Sequence, residues 1–216
     1  MNQDNINIVS PGELYMIGKI LNAEYIDYAY VAAIQDIGES FELFEKKMTD
    51  SLVAKNFLEE DFSGEVVPTG KTVSLFSPVF FGNTETTLDI CYIGEPAKIN
   101  TFKFHFFDDQ ITKVTGVEDG MLQMESISSD EFNKMIDSLL PKDPVAEDVA
   151  DDKAFDKEKI SKYIVAKSNK IKESSRVAAY FESDNRTYKE DESGNVICVN
   201  ADDFKAEIAQ ILTGVM

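Results

Sequence analysis

Apolar residues along this chain fall into two repeating arrangements. From Asp119 to Leu140, DGMLQMESISSDEFNKMIDSLL reads as a turn ending in Gly, a short apolar strand, a polar cap and an amphipathic helix. Near the end of the chain, SGNVICVNADDFKAEIAQILT returns in the same order from Ser193-Gly194. The helical parts superpose residue by residue: Asp130 on Asp202, Glu131 on Asp203, Phe132 on Phe204, Ile136 on Ile208, Leu139 on Ile211 and Leu140 on Leu212. Those apolar positions form one helical stripe, and the acids before each Phe fall in the first turn, where the helix dipole favours negative charge.

The correspondence runs upstream. Thr101 to Phe107, TFKFHFF, alternates and leads through Asp108-Asp109 into Ile111 to Thr115; Arg176 to Glu182 leads through Ser183-Asp184-Asn185 into Arg186 to Lys189. Each half predicts strand, turn, strand, Gly turn, strand and helix, which implies an internal duplication. Within the first meander, Phe102, Phe104 and Phe106 point one way and Lys103 and His105 the other.

The first quarter reads as helical. Ile6 and Ile8 give a short opening strand, and Ser10-Pro11-Gly12-Glu13 is a helix start with a capping box. Leu14, Ile17 and Leu21 stripe the helix that follows, the pattern from Glu24 to Gln35 continues mostly apolar, and Phe41, Phe44, Met48 and Leu52 stripe a further helix over 39–57. Ser63 to Gly70 reads as a loop, Thr72 to Phe81 as a short helix or irregular segment around Pro78, and Thr86 to Ile93 as a strand with Leu88, Ile90 and Tyr92 on one face. Two prolines and a run of acids after Leu140 predict a linker, and Ile160, Ile164 and Ile171 predict a helix over 157–172 capped by Asp156. The expected fold is α/β of the α+β kind: a largely antiparallel sheet from two pseudo-symmetric strand-meander-helix halves, with helices packed on one side. The N-terminal half spans 1–142, the acidic linker 143–155 and the C-terminal half 156–216, the whole forming one domain.

Charge narrows the choice of partner. Forty acids against 21 bases leave a net −19, a field that repels phosphate backbones and anionic lipid, so neither nucleic acid nor a membrane is an expected partner. A basic or apolar protein is expected instead, although solubility alone accounts for the acids equally well. Cys91 and Cys198 lie in apolar runs without CxxC spacing, as buried thiols in a reducing compartment would. There is no secretory-type start and no apolar run of roughly 18 residues, the length a membrane helix requires, so the expected location is cytoplasmic.

Candidate chemistry is sparse. His105 is the single histidine, which excludes a two-His metal site, and nucleophile elbows, phosphate-binding Gly loops and EF-hand spacings are absent. The expectation is a protein that is no enzyme and uses no cofactor or metal. If helices cover one sheet face only, Thr101, Lys103, His105 and Phe107 form an open face for a partner; the alternative is that the N-terminal helices cover it.

Several stretches carry a family resemblance. Ser-Pro-Gly-Glu-Leu-Tyr-Met-Ile at 10–17, the helix ending Leu52-Val-Ala-Lys-Asn-Phe57, Phe181-Glu-Ser-Asp-Asn-Arg-Thr-Tyr188 and the two Asp-rich closing helices resemble the EspG family, cytosolic chaperones of type VII secretion. Asn56-Phe57 stands where that family has Gly-Leu, and Asn185-Arg186 where Gly-Arg is usual. With its Asn, Lys and Ile content and its lack of Trp, the chain is similar to EspG-like proteins of Firmicutes. The resemblance implies a duplicated meander-helix core and an adaptor that holds a helical secreted protein and targets it for export. An immunity protein that neutralises a cognate toxin is the other function compatible with the composition. The oligomeric state is left open.

Overall fold

The computed structural model describes residues 7–32, 34, 40–82, 84–141, 155–170, 176–191 and 193–213. In chain order its elements are β1 (Ile8–Val9), α1 (Pro11–Ile20), α2 (Tyr28–Val31), α3 (Phe41–Ala54), β2 (Leu58–Glu60), β3 (Val66–Pro68), α4 (Gly70–Phe81), β4 (Thr84–Tyr92), β5 (Lys98–Phe107), β6 (Gln110–Gly116), β7 (Leu122–Ile127), α5 (Ser129–Asp137), β8 (Ile160–Lys170), β9 (Arg176–Ser183), β10 (Arg186–Glu190), β11 (Val196–Val199) and α6 (Ala201–Thr213). One sheet of nine strands runs β1-β7-β6-β5-β4-β8-β9-β10-β11, and β2 and β3 form a separate hairpin.

The duplication is visible in that order. Both β5-β6-β7-α5 and β9-β10-β11-α6 are meanders closed by a helix. Turn residues in the left-handed region join the first two strands of each: Asp108 at φ 50° in one, Asp184 and Asn185 at φ 48° and 58° in the other. Each closing helix sets a Phe edge-on against a strand aromatic four residues before the first of those turn residues. Phe132 meets Phe104 at 5.3 Å and Phe204 meets Tyr180 at 4.8 Å. Ahead of each meander stands a further strand, β4 in one case and β8 in the other, and these two pair antiparallel from Thr84↔Lys170 to Tyr92↔Lys162.

That pairing corrects the expected helix over 157–172, where only a single 3-10 turn, Lys157–Lys159, precedes β8. Ile160 and Ile164 fit both periods. The deciding pattern is the burial of Lys162, Ile164, Ala166 and Ser168, every second residue, in a segment whose β-branched and aromatic content suits a pleat. The loop expected over 63–70 contains a hairpin strand, since Leu58 to Glu60 pairs with Val66 to Pro68. Of the helical run expected over 24–35, Tyr28–Val31 is helix. Ile6 and, apart from Phe155, the linker 143–155 lie outside the described residues.

Contacts divide the chain into two compact units, 1–83 with 105–127 and 84–104 with 128–216. In each, helices pack on one side of that unit's strands. The first unit has a core of Val9, Leu14, Ile17, Leu52, Phe57, Phe76, Val114 and Met124. Its α1 and α3 approach closely, because a Cβ on Gly12 would meet the Met48 sulfur at 2.8 Å. The predicted capping box is present, Ser10 accepting from the Glu13 amide and Glu13 from the Ser10 amide. Glu13 does more than cap: it is 2% exposed and also accepts from the Ser51 hydroxyl and the Lys55 ammonium, both at 2.7 Å.

In the second unit α6 covers β4, β8 and β9. Leu88, Ile90, Ile164, Ala166 and Tyr180 meet Phe204, Ile208 and Leu212 in the core, all buried. Lys162 is 8% exposed. Its ammonium donates to the Leu139 carbonyl at the end of α5 at 2.7 Å and pairs with Glu182 at 2.5 Å, so a buried cation has both a helix-end carbonyl and a carboxylate.

Burial by itself would raise the Glu13 pKa, but hydrogen bonds from Lys55, Ser51 and Ser10 and the Lys55 charge outweigh it and hold the carboxyl below its ordinary 4.5. A depressed folded-state value means that this stabilisation is complete above that ordinary value and is lost as pH falls through the lower one. Glu13→Gln is expected to lower unfolding free energy by about 2 kcal/mol at neutral pH and to flatten the acid limb of the stability curve, read by urea denaturation across pH. A variant as stable as the parent at neutral pH contradicts the bridging role.

Candidate functional site

The strands of the second unit have two faces of different character. One lies under α6. On the other, cross-strand register aligns a single row: Cys91 opposite Tyr163, Tyr163 opposite Phe181, Phe181 opposite Tyr188 and Tyr188 opposite Cys198. Because side chains alternate along each strand, all five point away from the α6 side.

The centre of the row is aromatic. Phe181 and Tyr188 stack almost parallel, 8° between planes and 5.9 Å between centroids, and Tyr163 lies 6.4 Å from Phe181. Phe155 sits against both, 4.8 Å from Phe181 and 5.2 Å from Tyr188. Cross-strand aromatic pairs of this kind stiffen a sheet and leave ring faces for a partner. Around the row the same face exposes aliphatic side chains. Val177 is 60% exposed and Ile99, two residues before Thr101 on β5, 67%; within the row Tyr163 is 39% exposed. The Thr101 hydroxyl donates to Asp89 at 2.6 Å and Lys103 donates to Glu85 at 3.1 Å, which gives the apolar area a polar border.

The four residues expected to make an open face are not equivalent. Thr101 is exposed and Lys103 half-buried, and both belong to the border just described. His105 is corrected from an open position to a covered one: it is 4% exposed, and its Nε2 shares a 2.6 Å hydrogen bond with the Tyr30 hydroxyl of α2. Phe107 is half-buried with its ring 6.3 Å from Phe81 of α4. Alternation puts residues on one face of a strand, but what packs on that face is decided by elements remote in sequence; here a tyrosine 75 residues away covers the histidine.

The cysteine expectation is corrected too. Cys91 is half-buried and Cys198 exposed, both as free thiols. With three strands between them they stand about 19 Å apart at ~4.8 Å per strand, too far for a disulfide. Among the described residues no group of three or more His, Cys, Asp or Glu is placed to hold a metal ion.

No family model and no curated protein matches the chain. The surface itself therefore carries the functional argument, and its chemistry is adhesive: rings, aliphatic chains and a few hydroxyls. Phe181 and Tyr188 fall on expected strands, but their alignment with Tyr163 is hidden as long as 157–172 reads as a helix. Once 160–170 is a strand, the alternation of exposed Tyr163 and half-buried Val165 with buried Lys162 and Ile164 is the signal that finds them.

Exposure orders thiol reactivity. Iodoacetamide at neutral pH is expected to alkylate Cys198 roughly tenfold faster than Cys91, followed by mass spectrometry of the intact and digested chain. Faster reaction at Cys91 contradicts the difference in exposure between the two thiols.

Proposed function

We propose that this protein is a cytoplasmic adaptor that binds a helical secreted protein, keeps it soluble and passes it to an export machinery of the type VII kind. The observation that carries this reading is the aromatic row of the second unit, in which Tyr163 is exposed and Phe181 and Tyr188 are half-buried beneath Phe155. An α-helix is about 10 Å across, so one lying on strands spaced ~4.8 Å apart covers two or three of them, the width of the Tyr163, Phe181 and Tyr188 strip. An amphipathic helix needs such a strip to bury its apolar stripe, and the net −19 steers clients whose polar flanks carry Lys or Arg.

Two further features agree with the reading. The order of elements is the duplicated meander-helix order that the EspG-like resemblance implies. The rings of the row are held by one another and by Phe155, so little side-chain freedom is lost when a client docks. In this account the protein binds and releases without changing its client covalently.

The test is an affinity pull-down from the native host with the parent chain and with a Tyr163→Glu/Val177→Glu double variant, whose exposed positions tolerate charge without unfolding the sheet. The expected result is recovery of secreted proteins through their helical regions by the parent and at least tenfold less by the variant, with unchanged thermal unfolding. Equal recovery by both removes this face as the binding site. Capture of a toxin through its catalytic domain replaces the adaptor reading with neutralisation.

A further inference from the structure

A second surface lies at the end of the sheet. β11 pairs with β10 along one edge, and among the described residues no strand pairs with the other. Natural edge strands are usually protected by charges, proline or a bulge. The sequence of β11, Val-Ile-Cys-Val, has neither charge nor proline, and its pairing with β10 runs through consecutive residues without a shift. Ile197 is 40% exposed.

Beside this edge lies a groove of about 770 Å³. Register assigns its two walls. Ile197 stands opposite Lys189 and Val199 opposite Thr187, and Lys189 reaches Glu207 of α6 at 2.6 Å, so Ile197 and Val199 point to the α6 side. The facing wall is the α6 stripe Asp203, Ala206, Glu207 and Gln210, spaced at three and four residues along one helical face. A strand added to β11 would lie about 4.8 Å beyond it and hang every second side chain over this groove.

We infer that the free edge of β11 accepts an extended segment of a partner protein, one with Lys or Arg at its groove-facing positions and β-branched residues between them. The main chain supplies affinity by continuing the hydrogen-bond ladder, and the groove supplies selectivity. A long basic side chain fits because its aliphatic stem lies along Ile197 and Ala206 while its head reaches Asp203, which accepts from Asn200, and the Glu207 carboxylate it would share with Lys189, in a protein of net −19. A second copy is the poorer occupant, since Val-Ile-Cys-Val brings no cation to those acids and two such charges repel. This inference goes beyond the adaptor reading and uses a different surface, so either stands without the other.

The probe is an acetylated, amidated heptapeptide of alternating Lys and Val carrying a fluorophore, titrated into the full chain by anisotropy. Three controls accompany it: the same peptide with every second backbone amide N-methylated, an alternating Glu and Val peptide, and the Ile197→Lys variant, which sets a charge on the edge. Expected are binding of the Lys peptide, at least tenfold weaker binding of both control peptides and of the variant, and slowed amide exchange at Val196 to Val199. Equal binding of the N-methylated peptide overturns strand addition, as it leaves charge as the sole attraction. Unaltered exchange in β11, full binding by a variant that unfolds at the parental temperature, or displacement of the peptide by self-association through β11 overturns it as well.

Discussion

The pairing of β4 with β8 is the constraint on which the second unit depends. It runs over nine residue pairs, and it sets two things at once. On one face it aligns Leu88 with Ala166 and Ile90 with Ile164, the apolar floor on which α6 packs. On the other it sets Cys91 beside Tyr163 and so starts the row that ends at Cys198. A slip of one residue would exchange the faces, setting Lys162 in water and Tyr163 under the helix. The Lys162 ammonium opposes such a slip, because the Leu139 carbonyl and the Glu182 carboxylate hold it in one place.

Much of the fold was legible in the sequence where local chemistry is strong. Ser10 announced a helix start through a reciprocal cap with Glu13, which is present, and the polar cap read before the first closing helix is a second capping box, Ser128 with Glu131. The matched stripes of the closing helices announced the duplication, and Phe132 and Phe204 occupy equivalent places against Phe104 and Tyr180. What failed was the segment from Ile160. Its isoleucines satisfy helical and strand periods together, and the residue that separates the two readings is Lys162, a lysine at a core position. A buried lysine looks like a surface residue until its partners, 20 and 23 residues away, are known. With β8 unread, the strand ahead of the second meander and the whole aromatic row stayed out of sight, although its counterpart β4 was legible in the alternation from Thr86 to Ile93.

The same limit explains the site residues. Alternation along Thr101 to Phe107 put Thr101, Lys103, His105 and Phe107 on one face, but coverage of that face is a tertiary matter. Tyr30 settles His105 and Phe81 settles Phe107, and neither contact has a local signature. What remains in the second unit is a sheet face of packed rings, exposed at Tyr163 and Val177, in a strongly acidic protein, the surface on which the proposed helical client would lie. In the proposed function, charge would bring the client near and the rings would decide whether it stays.

The arrangement is tested most directly by the distance between the two native cysteines, because the row between them exists only if β8 is a strand in this register. Nitroxide labels on Cys91 and Cys198, measured by double electron–electron resonance, are expected to give a single distribution centred at about 20 Å, four strand spacings of ~4.8 Å. A distribution centred beyond about 35 Å, more than seven such spacings, would contradict the row, the β4 and β8 pairing beneath it and the binding face proposed on both.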